Sequence, residues 1–209
     1  MRLVLASASP RRAELLRAAG FAFETCAADV DESTRPGERA AAYVRRLAAE
    51  KSARAQERVL PQLRPLRAGV PGSSRTAADS PIVIGADTAV VIDGDVLGKP
   101  RDAADARTML RRLSGRRHEV MTGVSARHGE IELGRLEVTV VSFATLTDSD
   151  VEWYVASQEG LDKAGAYAIQ GLASRFIPRI DGSYSNVVGL PIALVWELLG
   201  ELTSLASGE

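Results

Sequence analysis

Between Ile82 and Ile92 the chain reads IVIGADTAVVI, an apolar run broken only by Gly85, Asp87 and Thr88. Such a run, bounded by Pro81 and by Asp93-Gly94, predicts a strand buried on both faces and therefore placed inside a sheet. A fold built around it needs cover on each side. The carboxylate of Asp87 then requires a partner, a metal or a raised pKa, because an unpaired buried charge is expensive. An aspartate hydrogen-bonded to backbone at a strand bulge is the competing structural reading.

The rest of the chain supplies that cover. A strand over Arg2–Ala6 leads into a helix with Ser9 at its N-cap, Pro10 at its first position and Gly20 just past its end. A second strand is expected over Phe21–Cys26, and helical periodicity runs from about Glu38 to Arg58 with Tyr43, Val44, Leu47 and Ala48 on one face. The proline-containing stretch from about 58 to 81 reads as a long, mobile surface loop rather than a domain boundary. Asp102 caps a helix that stops at Ser114-Gly115, and strands follow around Glu119–Ala126 and Glu132–Ala144. Thr147 and Asp150 form a capping pair for another helix. A last strand at Phe176–Ile180 and a helix from Pro191 to about Leu202 complete the pattern. The fold class is mixed α/β: a mixed, largely antiparallel twisted sheet with flanking helices, forming one domain over residues 1–209.

With 209 residues, 45% hydrophobic and 25% charged, the chain has the composition of an ordinary globular domain. Its net charge of −1 and scattered basic residues argue against a nucleic-acid partner, which would need a concentrated basic face. The apolar stretch Leu3–Ala6 is too short for a signal-peptide core, and no run approaches a membrane span of roughly 18 residues. A single cysteine, Cys26, suits a reducing compartment. The expectation is a cytoplasmic protein without a membrane partner.

Arg11 and Arg12 fall in the first turn of a helix whose N-terminus is already positive, a placement disfavoured by roughly 0.3 to 1 kcal/mol for each cation. Either they grip an anion beside exposed backbone N–H groups, or they are two solvated surface arginines. Neither G-x-x-x-x-G-K-[ST] nor G-x-G-x-x-G occurs, so any phosphate site is of another kind. Lys51, four residues after Leu47, is directed inward on its helix unless its stem snorkels. Asp31-Glu32 offers either oxygen ligands for Mg²⁺ or a solvated acidic turn. Lys99 is placed to face an anion, and Gln170 carries the donor and acceptor needed to read a base edge. His118, His128 and Cys26 lack the spacing or neighbours for metal or nucleophile chemistry.

The collinear segments LASASPRR, DVDES, LAAEKS, GADTAVV, GKPRDAADA, LSGRRHEVMTGV, DKAGAYAIQG and GSYSNVVGLP resemble the Maf family of nucleoside triphosphate pyrophosphatases over nearly the whole chain. The resemblance implies a Maf/ITPase-like fold with two lobes around a substrate cleft. It also implies cleavage of a nucleoside triphosphate between its α and β phosphates with a divalent cation, Mg²⁺ or Mn²⁺. By the same resemblance Asp87 is the proton acceptor, and Glu32 and Asp87 face the metal. Ser7, Arg11 and Arg12 belong to the phosphate-binding opening, Lys51 and Lys99 hold the triphosphate, and Thr88 and Gln170 discriminate substrates. GADT and AYAIQG are similar to the subgroup acting on dTTP and UTP rather than the one acting on 7-methyl-GTP, with related or modified pyrimidine triphosphates as the alternative target. A homodimer is implied as well, and the alternative role is a nucleotide-sensing regulator of septum formation. The 58–81 insertion departs from the family pattern and carries no site motif.

Overall fold

The computed structural model describes residues 2–60 and 80–207. The central strand runs as expected: β3 is Ile82–Ile92 and has neighbours on both edges. β1 (Leu3–Leu5) lies parallel to β3 and to the short β2 (Glu24–Thr25). On the other side β5 (Arg117–His128), β6 (Ile131–Ser142) and β7 (Arg179–Asp181) follow in antiparallel order. The chain turns at Asp93-Gly94, both with positive φ (57° and 84°), and β4 (Asp95–Leu97) folds back antiparallel onto the end of β3. Positive φ at both central residues matches the twist of a tight hairpin, which is why Asp-Gly stands there.

Residue parity along β3 sorts its side chains. Ile82, Ile84 and Ala86 pack under α1 (Pro10–Ala18) and α6 (Ile192–Ser207), with Leu16, Val195, Leu198 and Leu202. At the far end of the same face, Val90 and Ile92 pack under α3 (Ala103–Leu113) and α4 (Asp148–Ala156). Thr88 falls between the two clusters, at the division between the expected lobes. The opposite face is covered by α2 (Ala40–Val59), whose Val44 meets Ala89 and Val91 and whose Ala55 and Val59 meet Val83. A buried side chain of this size contributes about 1.5 to 3 kcal/mol.

α2 lies unusually close to the sheet. A Cβ on Gly85 would collide with the Ala48 carbonyl and come within 2.7 Å of Ser52 N, and one on Gly123 would collide with Val44 and come within 2.7 Å of Arg45 N. These two glycines set the height of α2 above β3 and β5.

Several boundaries differ from the sequence expectation. β2 shrinks from Phe21–Cys26 to two residues, and β6 ends at Ser142. The strand expected at Phe176–Ile180 starts at Arg179, because Leu172–Phe176 forms a 3₁₀ turn that buries Phe176 in the α3/α4 cluster. Tyr184–Val188, read as part of a glycine-bearing loop, forms α5, capped by Ser183 Oγ. Asp102 and the Thr147/Asp150 capping box are observed. Ser9 occupies the N-cap position but makes no side-chain capping bond. Apart from its ends, the loop expected near 58–81 lies outside the described residues, and α2 extends through Arg58 to Val59.

Candidate active site

β1 pairs with β3 only as far as Ile84, and β4 begins to pair at Val90. The edge of β3 between them, from Gly85 to Ala89, is a notch that opens both faces of the sheet. A cleft of about 640 Å³ sits there. The nine residues to which the family resemblance gives roles all line it: Ser7, Arg11 and Arg12 from the β1–α1 turn, Glu32, Lys51 from α2, Asp87 and Thr88 from β3, Lys99 and Gln170.

The buried centre is an ion cluster. Lys51, 7% exposed, places Nζ 2.7 Å from Asp87 Oδ1 and 2.6 Å from Glu32 Oε1. Asp87 is only 8% exposed, and burial raises its pKa above the ordinary carboxylate value against the opposing fields of Lys51 and Arg12. Glu32 feels the same two influences in the opposite balance. Partial burial pushes it up, but the hydrogen bond from Lys51 and the charges of Lys51, Lys99 and Arg12 bring it below its ordinary value. Two carboxylates that share one lysine are therefore driven apart, with Asp87 the more basic. The Tyr43 hydroxyl donates to the Glu32 carbonyl at 2.9 Å, and burial followed by the charges of Asp87 and Glu32 pushes its pKa up to about 12.

Arg11 and Arg12 are adjacent in sequence but differently employed. Arg12 Nε donates to Gly189 O at 2.7 Å, Nη1 to Ala86 O at 2.8 Å and Ser7 Oγ at 3.3 Å, and Nη2 to Thr88 Oγ1 at 3.1 Å. Burial lowers its pKa, partly offset by Asp87. Most of its fork is thus committed to pinning α1, the β3 notch and the end of α5 together. Arg11 makes one loose pair, Nη1 to Asp162 Oδ2 at 3.6 Å. The uncapped first turn of α1 leaves backbone N–H groups beside it without a side-chain acceptor.

The Thr88 hydroxyl is also committed: it accepts from Arg12, donates to Gly189 O at 3.2 Å and lies 2.9 Å from Thr122 Oγ1. Lys99 and Gln170 are exposed and make no hydrogen bond or ion pair among the described residues. Asp31 accepts from Ser33 N at 2.9 Å and does not line the cleft, so the acidic pair divides into a solvated turn and a cleft residue.

Sequence reasoning missed Asp162, which pairs with both Arg11 and Lys163 at the cleft mouth. It also missed Tyr167, buried in the cleft wall with Oη 2.8 Å from His118 Nε2. The adjacent Lys163 was the available signal for Asp162. His118 is held neutral, its pKa lowered to about 4 by burial. Tyr43 was legible only as a core residue.

Among the described residues no helix is long and apolar enough to cross a membrane. A protein 51% identical over 202 residues, the dTTP/UTP pyrophosphatase of Anaeromyxobacter dehalogenans strain 2CP-C, aligns with 95% of this chain and 92% of its own length. The dTTP/UTP pyrophosphatase of Escherichia coli K12 is 49% identical over 97% of this chain and 94% of its own. That of Shewanella oneidensis is 48% identical over 96% and 98%. The Staphylococcus aureus Ham1 structure aligns with a TM-score of 0.40 at 13% identity, over 69% of this chain and 72% of that one, a likeness too slight to argue from. The family model described as Maf-like protein matches residues 2–202, and with relatives of this identity along its length the chain belongs to the Maf-like family.

Proposed function

We propose that this chain is a nucleoside triphosphate pyrophosphatase that hydrolyses dTTP and UTP, or a modified pyrimidine triphosphate, to the monophosphate and pyrophosphate. The observation that carries the reading is Asp87: a buried carboxylate of raised pKa, opening into a cleft that also holds Arg11, Arg12, Lys51 and Lys99. A site that only binds a polyanion gains nothing from a buried base.

In this reading Asp87 accepts the proton of the water that attacks the α phosphorus; as the new bond to the water oxygen forms, the bond from that phosphorus to the α–β bridging oxygen breaks and pyrophosphate leaves with that oxygen. A positioned base is worth about 10² to 10⁴ in rate. Lys51 keeps Asp87 ionised and in place until the substrate arrives. Arg11, Lys99 and the open N–H groups of α1 take the phosphate oxygens, and Arg12 supplies fixed positive potential from behind. Gln170, unpaired at the cleft rim, faces the base.

A divalent cation fits these residues as a passenger of the triphosphate rather than as a resident. Among the described residues no three acidic, His or Cys side chains gather into a metal-binding group. Glu32 and Asp87 already converge on one cation, the Lys51 ammonium. Mg²⁺ is held by one or two carboxylates together with phosphate oxygens, and these are the two carboxylates that would hold it. When bound, the ion neutralises phosphate charge at the reacting centre.

The test is a pyrophosphate-release screen over canonical and modified nucleoside triphosphates with Mg²⁺ or Mn²⁺. Turnover concentrated on dTTP and UTP supports the reading. Binding without pyrophosphate release would favour the regulator. The same reading makes residues 1–209 one domain and the protein a cytoplasmic homodimer, which light scattering and cell fractionation check.

A further inference from the structure

Gln170 has no hydrogen-bond partner of its own among the described residues, so the reach of its amide depends on where the backbone holds it. That backbone is fixed from outside the cleft. Two residues before Gln170, Ala168 N donates to Tyr154 Oη at 3.1 Å. Two residues after it, Leu172 N donates to Glu159 Oε2 at 3.0 Å. Tyr154 Oη in turn donates to Glu159 Oε1 at 2.9 Å, closing the bracket around Gln170. Gly171 lies so close to the Glu159 carboxylate that a Cβ there would collide with it. Tyr154 is 1% exposed on α4, and neither it nor Glu159 lines the cleft.

We infer that Tyr154 and Glu159 are positioning residues for base selection, holding Gln170 at the distance where its amide meets the donor–acceptor edge of a 4-keto pyrimidine. Thymine and uracil present N3–H beside O4, which an amide pairs with its own oxygen and nitrogen. The unpaired amide can turn over, so what the bracket fixes is its reach: a purine carries its edge further from the sugar, and guanine, with the same N–H and keto order, differs from thymine at this site in distance alone. The inference rests on the nucleotide reading above, and it concerns residues that touch no substrate.

Tyr154→Phe keeps the ring and removes both hydroxyl bonds. Glu159→Gln keeps the shape but leaves one acceptor oxygen for two donors, Leu172 N and Tyr154 Oη. Each variant, checked by thermal melting, is assayed with dTTP and dGTP, and inorganic tripolyphosphate is used as a competitive inhibitor that has no base. A loop misplaced by about 1 Å costs up to about 10²-fold, so KM for dTTP is expected to rise about tenfold with kcat little changed. The dTTP:dGTP preference then falls by a similar factor, and inhibition by tripolyphosphate stays as in the wild type. An unchanged preference in the folded variants, or tripolyphosphate inhibition weakening in parallel, overturns the inference. Glu159→Gln, on a half-buried side chain, decides the matter if Tyr154→Phe does not fold. If the wild type itself releases no pyrophosphate, the enzymatic reading has failed, and the same variants are compared by calorimetric binding of dTTP against dGTP.

Discussion

The Lys51 ammonium lies 2.7 Å from Asp87 Oδ1, and both side chains are about nine-tenths buried. A lysine on a helix and an aspartate on a strand, 36 residues apart, meet because Gly85 and Gly123 let α2 settle onto the sheet.

Replacing Asp87 by Asn removes the base and leaves Lys51 paired with Glu32. Pyrophosphate release is expected to fall by about 10² to 10⁴. The folded pKa of Asp87 is raised, so its ionisation weakens the fold as pH climbs from the unfolded value towards the folded one. Asp87→Asn should therefore melt no lower than the wild type at pH 8, measured by circular dichroism.

The acid limb of kcat/KM belongs to Asp87 and falls above the ordinary aspartate pKa of about 3.9. Glu32, held low, remains ionised through that window. Lys51→Met removes the strongest influence lowering Asp87, so the limb should move further up in pH. The same variant leaves a buried carboxylate without its cation, costing about 3 kcal/mol at pH 8 and less at pH 5, where protonation relieves it. Denaturant titrations at the two pH values read the difference.

Arg12→Lys is not conservative. A single ammonium cannot replace a fork that reaches Gly189, Ala86, Ser7 and Thr88, and a loss of about 1 to 3 kcal/mol in stability is expected. Arg11→Lys should leave the melting temperature unchanged, because its one pair is long and exposed, and raise KM instead.

Gly85→Ala forces α2 away from β3 at Ala48, three residues before Lys51. Overpacking of this kind costs about 1 to 3 kcal/mol. Activity should fall by more than the unfolded fraction accounts for, since Lys51 loses its reach to Asp87. Comparing specific activity with the folded fraction separates the two effects.

Thr88 binds its neighbours with every hydrogen-bonding site its hydroxyl has. Thr88→Val should consequently act through Arg12, raising KM for every triphosphate alike, whereas Gln170→Ala should change the ratio between bases. A substrate panel distinguishes a shared loss from a selective one.

Local pattern determined a good deal of this protein. The apolar run at Ile82–Ile92 announced a central strand, and Asp87 inside it announced a group in need of a partner. Helical spacing turned Lys51 inward, and Asp102, Thr147 and Gly20 marked helix ends, all through interactions within a few residues of chain. Tertiary structure alone decided which partner Asp87 received and that its pKa is raised while that of Glu32 is lowered. It also separated Arg11 from Arg12. Two of the four acceptors that occupy Arg12 are the main-chain carbonyls of Ala86 and Gly189, 74 and 177 residues away, and a backbone oxygen is present at every position. No side-chain pattern can mark such acceptors, because they are selected only when the strands, α1 and the end of α5 come together around the notch in β3.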